Sequence, residues 1–562
     1  MKQINIPVGI SDFRRIRENG YYYVDKSGLI AELLAGEPAA VTLITRPRRF
    51  GKTLAMNMLA EFFDIQKDSR ALFEQLKIAE NKALCRAWMN QFPTLFLSFK
   101  DVDGLDFSTA YGMLCAVLAE LCVEHSYLLD SEKVTAYDRN LLSHLIRTEG
   151  NPTEVRKSLH TLLRAMHAYY GKPVILLMDE YDVPVAKATS HGYYGKMLDV
   201  MKGLLQPLKD NACLHFAVVT GCLRIAKESI FTGTNNFVSD GILQGHLDEY
   251  FGFTQADLDR LLKDADAEEY GDKIKKWYDG YRFGAREVYC PWDVMNYLRD
   301  LQGNPGAQPA AYWKNTSDNA IIRSFIEYAG ASITQKLEQL LQGKSIVQRI
   351  DENLTYDYLH SSEENLWSIL YLTGYLTRVC PEDHAEGLQE LGIPNAEIRE
   401  IFETTIMQWF ADSARSWNRK ALFEAVWASD SEALTGEMNK LLRKTISYHD
   451  YKEDFYHAFL AGIFAGAGYM VESNKEHGEG RSDVVVCDPQ EGRIAIFEAK
   501  YSRSLEAMER DCQAALHQMD ERMYAREYED DYDQVLCYGI SFFRKRCLVR
   551  RKQAEKEKIH DC

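Results

Sequence analysis

The sequence predicts a multidomain α/β protein, with an N-terminal parallel-sheet core, a helical middle region and a C-terminal α+β domain. Its 562 residues are enough for about three or four domains. Short apolar runs alternate with amphipathic stretches in the first part of the chain, which is typical of βαβ units. Helical periodicity dominates the middle, and strands followed by a long polar helix return near the end. We therefore set domains at 1–245, 246–445 and 446–562.

Composition limits the classes of protein that this chain can be. Hydrophobic residues make up 46% and charged residues 27%, as in ordinary folded protein. We find no apolar signal segment at the N-terminus and no uninterrupted apolar stretch long enough for a membrane span. The 12 cysteines form no CxxC pair, which favours reduced thiols and a cytoplasmic location. The net charge of −17 argues against a generally basic surface for nucleic acid, while a local basic groove stays open.

The strands of the first region are predicted from apolar runs of strand length. Helical stretches such as Leu54–Phe63 and Phe107–Val123 lie between them. The predicted strands are Val41–Thr45, Thr94–Phe99, Val174–Asp179 and Leu214–Thr220. Because open parallel sheets bind ligands at the carboxyl ends of their strands, polar residues that follow these strands are candidate site residues.

The first such candidate is a phosphate-binding loop between a strand and a helix. The segment FGKT matches the end of the P-loop pattern. Gly51 lets the backbone approach phosphate, Lys52 would contact the β- and γ-phosphates, and the Thr53 hydroxyl would ligate Mg²⁺. Arg46 occupies the position of the first glycine of the pattern, so the loop reads RPRRFGKT.

The second candidate is the strand VILLMD, which runs directly into further acidic residues. Asp179 would hold Mg²⁺ and Glu180 would orient or deprotonate the attacking water, as in P-loop ATPases. A buried strand that ends in a polar turn is a plausible alternative for this segment taken by itself. The two motifs in this order, each after a strand, favour an ATP site with Mg²⁺.

The third candidate lies near the C-terminus, in SDVVVCDPQEGRIAIFEAKYS. If Pro489–Gly492 is a four-residue hairpin loop, Asp488 pairs with Arg493 and Asp483 lies opposite Glu498. Lys500 shares the face of Glu498, because side chains two residues apart on a strand point the same way. Two carboxylates and a lysine then meet at one end of an apolar face.

Such a cluster suits a divalent cation. Carboxylate oxygens favour Mg²⁺ or Mn²⁺, and a bound cation could activate water at a phosphodiester while Lys500 orients it. A salt bridge between Lys500 and the two acids is the alternative, and the spacing alone favours neither. The basic run from Arg544 to Lys552 also has two interpretations, a local groove that binds nucleic acid or a solvated tail, and the sequence favours neither.

The nucleotide motifs resemble a family of predicted bacterial AAA-type ATPases related to archaeal and STAND ATPases. In that family RPRRFGKT is the usual loop, which implies that Arg46 belongs to the nucleotide-binding set. The resemblance also implies a sensor-like position for Thr220 and Arg224, although the residues alone fit a strand end and a surface arginine equally well. It extends to VDKSGLI at Val24–Ile30, VVTGCLRIAKESIFTGTNN at Val218–Asn236, WYDGYRF at Trp277–Phe283 and YWKNTSDN at Tyr312–Asn319.

The C-terminal segment resembles the PD-(D/E)XK nuclease superfamily, in the form fused to this ATPase family. Asp483, Glu498 and Lys500 match its core residues. The likeness implies that Glu453 adds a carboxylate to the metal site, and that Gln518 and Tyr524 support the site or contact nucleic acid. His457 is interpreted as a packed helix residue, and Tyr21–Tyr23 as core aromatics rather than an adenine platform.

The sequence thus predicts an ATPase that gates a metal-dependent nuclease, with ATP and nucleic acid as partners, DNA favoured over RNA, and no membrane partner. Defence against foreign DNA and mobile-element biology are the roles that analogy suggests, and an oligomer fits the pattern. The alternative is a nucleotide-switched protein that binds nucleic acid or a partner without cleavage. The intact nuclease residues favour the first hypothesis, and the acidic net charge favours the second.

Overall fold

The fold was determined as a computed structural model, in which the chain divides into two compact units. The first contains Met1–Asp318 and Ser345–Glu400, and the second contains Asn319–Lys344 and Ile401–Cys562. The structure describes residues 2–552 except 37, 210, 225–236, 314–330, 355–361, 380–386, 406–419, 443–459, 461–469, 478–479, 527, 530 and 544–545. The predicted 246–445 region is thus shared between the two units, and its boundaries stay predictions.

The helices and strands of the first unit follow each other in an order that alternates strands with helices. They are α1 Phe13–Glu18, α2 Gly28–Leu33, β1 Val41–Thr45, α3 Lys52–Phe63, α4 Arg70–Phe73, α5 Lys77–Glu80, α6 Lys82–Trp88, β2 Thr94–Ser98, α7 Phe107–Glu124, α8 Ala136–Ile146, α9 Pro152–Tyr170, β3 Val174–Asp179, α10 Val183–Ser190, α11 Tyr194–Leu204, β4 Leu214–Gly221, β5 Phe237–Asp240, α12 Gln255–Ala265, α13 Gly271–Tyr278, β6 Tyr281–Phe283, β7 Arg286–Val288 and α14 Pro291–Gly303. After α15 Ala331–Leu341, which belongs to the second unit, come β8 Ile346–Arg349, α16 Glu363–Leu372, β9 Thr377–Arg378 and β10 Leu388–Gly392.

The N-terminal sheet has five parallel strands in the order β2-β3-β4-β1-β5. Every residue of β3 is buried, as expected for a strand covered by helices on both faces. The predicted parallel core is therefore confirmed, and β5 is an edge strand that the sequence did not predict. In this order β1, β3 and β4 are neighbours, so the loops that follow them open at one edge of the sheet.

Helix α7 contributes to the core that covers this sheet, through Leu114, Leu118 and Leu121. It is also the one helix among the described residues that is long and apolar enough to cross a membrane by length and composition alone. No membrane span was predicted here, and about a third of the helix is buried in the protein. Core helices pass the same test of length and composition.

The middle region is mostly helical but also contains short strands that the sequence did not predict. Strands β6 and β7 form a hairpin, and β8, β10 and β9 form a three-stranded antiparallel sheet. These strands have only two to five residues, too few for a visible alternation of apolar and polar side chains. These strands belong to the first unit, as do α12, α13 and α14.

The second unit is built on a mixed five-stranded sheet, β11-β12-β13-β14-β15. After α15, its described elements are α17 Lys420–Trp427, α18 Ser431–Leu442, β11 Met470–His477, β12 Gly480–Asp488, β13 Arg493–Tyr501, α19 Met508–Glu521, β14 Gln534–Phe543 and β15 Arg546–Arg551. Strand β13 pairs with β12 antiparallel and with β14 parallel. The hairpin prediction is confirmed, because Asp488 pairs with Arg493.

The two faces of this sheet carry different helices. One face packs against α17 and α18, through residues such as Val484, Val486 and Phe497. The other face carries Val485, Ile494 and Ile496 and is covered by α19, which places that helix on the face predicted to carry the catalytic cluster. Part of the C-terminal basic run forms β15 and is therefore not a solvated tail.

Candidate functional sites

The loop between β1 and α3 has the conformation of a phosphate-binding loop. Gly51 has φ 85°, in the left-handed region that glycine adopts without steric cost. Helix α3 begins at the next residue, so its first backbone N–H groups, which have no partner within the helix, face the loop. The buried Lys52 ammonium donates to the carbonyl oxygens of Arg46 and Pro47, each at 3.0 Å. The loop thus encloses its own lysine.

Charge around Lys52 keeps its ammonium protonated. Burial by itself would lower the pKa of Lys52, but the influence of Cys222, together with Glu180 and Asp179, outweighs it and raises the pKa. A permanent positive charge is therefore held at the helix N-terminus, where the phosphate chain of a nucleotide would lie.

Asp179, at the end of β3, receives hydrogen bonds from two hydroxyl groups. Thr53 Oγ1 donates to Oδ2 at 2.8 Å, and Thr220 Oγ1 donates to Oδ1 at 2.5 Å. Burial raises the pKa of Asp179, and these two hydroxyl groups oppose that rise. Hydroxyl and carboxylate oxygens are ligands of the kind that Mg²⁺ requires, so Thr53 and Asp179 fit the cation expected for the site.

Glu180 lies beside this cluster and lines a cavity of about 440 Å³ together with Gly51, Lys52 and Thr53. Its φ of 54° is unusual for a residue with a side chain. The N-terminal segments Pro7–Ser11 and Tyr22–Val24 line the cavity as well. The cavity thus joins the phosphate loop to an apolar and aromatic wall.

Tyr22 and Tyr23 line this cavity, whereas core packing was predicted for this aromatic segment. The Tyr23 ring also packs edge-on against Phe13, and its hydroxyl donates to the sulfur of Met58 at 3.2 Å. Core packing and a place in the cavity wall are compatible for this side chain.

Arg46 is fully buried, and its side chain is occupied away from the cavity. The guanidinium donates to a carboxylate oxygen of Asp240 at 2.5 Å and to that residue's carbonyl oxygen at 2.9 Å. It lies between the rings of Phe251 and Phe283. This geometry favours a role in holding β5 against β1, rather than a phosphate contact through the side chain.

Thr220 and Arg224 are separated by the structure. Thr220 joins the Asp179 cluster, whereas the Arg224 guanidinium lies over the Phe237 ring at 5.7 Å, and Arg224 is not among the residues that line the cavity. Thr220 does not line the cavity either, and the sensor-like roles of both residues stay predictions.

Three further residues of this site were missed by sequence analysis. The buried Asp182 accepts from the backbone N–H groups of Cys222 and Leu223, each at 3.0 Å, and so positions the turn after β4. Arg49 lies 4.2 Å from the centre of the Trp292 ring, and both line the cavity. The third acid in MDEYD was a usable signal for Asp182, whereas nothing local pointed to Trp292.

Two buried acids, Asp293 and Glu397, form a pair, and Asp293 directly follows Trp292, which lines the cavity. Each is fully buried, and each carboxyl group influences the pKa of the other. The backbone N–H of Trp313 donates to Glu397 at 2.8 Å. Burial raises the pKa of Asp293 to about 6 and that of Glu397 well above its usual value. The pair therefore shares a proton over a range of pH.

The second candidate site surrounds Glu498 on β13. Its carboxylate is 2% exposed and accepts a hydrogen bond from the Gln518 amide of α19. The Lys500 ammonium lies 3.4 Å from the same carboxylate, and its side chain is 29% exposed. The structure thus brings together three of the predicted residues, and the predicted support by Gln518 is a direct contact.

The observed strand register ends one residue short of Asp483. Val484 pairs with Phe497, so the same register carried one residue further sets Asp483 against Glu498. The Asp483 side chain lies outside the described residues, as do Glu453 and His457. Their roles at the metal site stay predictions.

Helix α19 packs closely on the sheet, and this close packing brings Gln518 into contact with Glu498. Gly539 of β14 pairs with Glu498, and a Cβ atom at Gly539 would lie 2.5 Å from the backbone oxygen of Cys512. Only glycine lets the helix approach this closely. Tyr524, just beyond the helix, is buried and packs in the same cluster as Ile496 and Met519.

Comparisons with known proteins identify the two regions of the chain that contain these sites. Residues 7–231 match the model of a predicted AAA-ATPase family, and residues 451–552 match the PD-(D/E)XK nuclease superfamily. An uncharacterized protein encoded in the vnfD 5′ region of Azotobacter chroococcum mcd 1 is 25% identical over 557 residues, which is 97% of each chain.

Two solved structures are more distant. The Aeropyrum pernix ORC1 protein in complex with DNA has 10% identity and a TM-score of 0.24, over 70% of this chain and 91% of that chain. The ORC2 protein of the same organism, in ADPNP–ADP complexes, has 9% identity and a TM-score of 0.23, over 72% and 96%. These scores are too low to support an argument. The family matches and the site geometry together show that the chain carries an AAA-ATPase-like domain followed by a domain of the PD-(D/E)XK nuclease superfamily.

Proposed function

We propose that this protein hydrolyses ATP in its N-terminal domain and cleaves phosphodiester bonds of nucleic acid in its C-terminal domain, with the first activity controlling the second. The observation that carries the proposal is that each domain holds an assembled set of reactive side chains. Lys52, Thr53 and Asp179 lie around one loop, and Lys500 and Gln518 flank Glu498 in the other.

In the ATPase, Lys52 and the N–H groups at the start of α3 bind the phosphate oxygens, and Glu180 orients the attacking water. Thr53 and Asp179 would hold Mg²⁺, which neutralises charge on the phosphates when bound. The Thr220 hydroxyl keeps Asp179 in place through its hydrogen bond. Tyr22, Tyr23 and Val24 line the same cavity and would leave less room for water beside a bound nucleotide.

In the nuclease, Glu498 and Asp483 would supply the oxygen ligands for Mg²⁺ or Mn²⁺, which polarises a phosphodiester and lowers the pKa of water. Gln518 fixes the orientation of the Glu498 carboxylate, as outer hydrogen bonds do at metal sites. Lys500, the more exposed partner, places its positive charge where negative charge develops on the phosphate. We infer DNA as the preferred substrate and defence against foreign DNA as a role, both by analogy.

The direct test incubates the full-length protein with labelled DNA and RNA, with Mg²⁺, Mn²⁺ or EDTA, and with or without ATP. We expect metal-dependent cleavage that changes when ATP is present. Lys500→Ala should lose cleavage and keep ATP hydrolysis, whereas Glu180→Gln should keep ATP binding and slow its hydrolysis. Lys157→Ala, which removes an exposed lysine on α9, is the control for both activities.

A nucleotide-switched binding protein is the second candidate, and the net charge of −17 is the observation that favours it. That function predicts nucleotide-dependent binding of nucleic acid or of a protein partner, with no metal-dependent cleavage. Intact substrate after prolonged incubation with Mg²⁺ and Mn²⁺, under conditions in which the protein hydrolyses ATP, would establish the second candidate and exclude the first.

A further inference from the structure

The end of helix α19 brings a positive charge to the nuclease-type site. Gln518, which contacts Glu498, is followed one helical turn later by Arg522, the residue that caps the helix. Residues four apart lie on the same face of a helix. The backbone N–H of Arg522 donates to the carbonyl oxygen of Gln518 at 3.1 Å, so the turn that joins them is intact. Arg522 therefore lies on the side of the helix that faces Glu498.

The turn after α19 holds this position through an unusual backbone conformation. Met523 has φ 52°, where glycine is the common residue at a helix end. The N–H of Tyr524 reaches back to the carbonyl oxygen of Met519 at 3.2 Å, which closes the helix end. Tyr524 is then buried beside Ile496 of β13. A strained residue next to a functional group is a recurrent feature of binding sites.

The guanidinium of Arg522 is exposed to solvent and weakly engaged. It donates to the Tyr524 hydroxyl at 3.4 Å, and that contact and the charge of Glu498 are among the causes that raise its pKa. Among the residues that the structure describes, no carboxylate comes within 4.0 Å of it. Arg493, Arg510 and Arg550 of the same unit do form such ion pairs, with Asp488, Asp511 and Glu509.

We propose that Arg522 is a substrate-binding residue that holds a backbone phosphate of the nucleic acid next to the phosphate that is cleaved. The proposal rests on the proposed nuclease function. A planar guanidinium binds phosphate oxygens through two N–H groups, and solvent exposure lets a duplex or a single strand reach it. Lys500 and Arg522 then place positive charge at two points around the buried Glu498. In an acidic protein this local charge supplies the attraction that the overall charge opposes.

The test measures binding of a fluorescently labelled DNA duplex of mixed sequence, and of its single strand, to the full-length protein. Ca²⁺ replaces Mg²⁺ so that binding is followed without cleavage. Arg522→Ala should weaken binding by about tenfold and should reduce the slope of log affinity against log salt by about one, the signature of one lost phosphate contact. Arg522→Lys, which keeps the charge, should restore the slope and part of the affinity.

Arg510→Ala is the matched control, because Arg510 is an exposed arginine of the same helix that pairs with Asp511. It should leave affinity and salt slope as in the wild-type protein. If Arg522→Ala behaves like Arg510→Ala while the wild-type protein binds and cleaves DNA, the phosphate role is wrong and the nuclease proposal stands. If Arg522→Ala only lowers the melting temperature at unchanged salt slope, Arg522 is structural. A wild-type protein that neither binds nor cleaves nucleic acid overturns both proposals.

Discussion

The two candidate sites both bury a carboxylate, and they stabilise it in different ways. In the ATPase-like site Asp179 is held by the hydroxyl groups of Thr53 and Thr220, and the lysine of the loop donates to backbone oxygens instead. In the nuclease-type site Glu498 is held by the Gln518 amide and lies near the Lys500 ammonium. In the first arrangement the lysine is bound to the backbone of its own loop and not to the buried carboxylate. The second uses a positive charge next to the carboxylate itself.

The largest expected effect follows from removal of the carboxylate charge in the second site. Glu498→Gln should reduce metal-dependent cleavage by about 10³-fold or more, because a metal ligand is lost, while ATP hydrolysis stays near the wild-type rate. Both rates are measured on the same preparation, with Glu529→Gln, on the turn beyond α19, as the control. Equal loss of both activities would mean that the two sites are not independent.

Next in size is the effect of removing the buried lysine of the first site. Lys52→Ala should lower ATP hydrolysis by about 10²–10³-fold, because the positive charge at the helix N-terminus is lost. Nucleotide binding is followed by equilibrium dialysis and folding by circular dichroism. Hydrolysis at the wild-type rate in a folded Lys52→Ala protein would place the nucleotide site elsewhere.

Geometry rather than charge is tested at Gly539. Gly539→Ala should push α19 away from β14, since a Cβ atom there would lie 2.5 Å from the Cys512 backbone oxygen. Displacing Gln518 by about 1 Å should slow cleavage by up to about 10²-fold, with ATP hydrolysis unaffected. Gly436→Ala, on α18, is the matched control, because a Cβ atom there would have no other atom within 4 Å. Unchanged cleavage in Gly539→Ala would show that the Gln518 contact does not matter.

The smallest effect is on stability, through the acid pair Asp293–Glu397. The pKa of Asp293 rises from 3.8 to about 6 in the fold, so the folded state binds more protons than the unfolded state between these values. The contribution of Asp293 to the free energy of unfolding is therefore fully present below about pH 4. It is lost as pH rises through about 6, and the loss is at most about 3 kcal/mol. Asp293→Asn should remove the part of this pH dependence that comes from Asp293, while the buried Glu397 keeps its own raised pKa, and should make the protein more stable than wild type at neutral pH.

Urea unfolding at pH 5 and at pH 8 measures this difference, and the exposed Asp272→Asn on α13 is the control. A wild-type protein that gains stability from pH 5 to pH 8 relative to Asp293→Asn would contradict the assigned proton sharing. The acid pair differs from both candidate sites, because it has neither the hydroxyl donors that stabilise Asp179 nor the ammonium that lies beside Glu498.

Local pattern and turn length were enough to predict much of the fold and part of each site. The apolar runs gave four of the five strands of the first sheet, and the position of Lys52 and Thr53 at the start of a helix followed from one motif. The register of the β12–β13 hairpin followed from a four-residue loop, because loop length sets the pairing of the strands that it joins. These features depend on residues close together in the chain.

Only the tertiary structure decided which side chains meet across long stretches of sequence. Arg46 belongs to the loop motif, yet its guanidinium pairs with Asp240 because that acid is buried at the end of the neighbouring strand. Gln518 reaches Glu498 because Gly539 lets α19 pack closely, and Asp293 meets Glu397 across the middle region. A motif specifies residue types and backbone conformation over a few residues. The direction of a buried side chain is decided by the partner that compensates its loss of water, and that partner can lie anywhere in the chain.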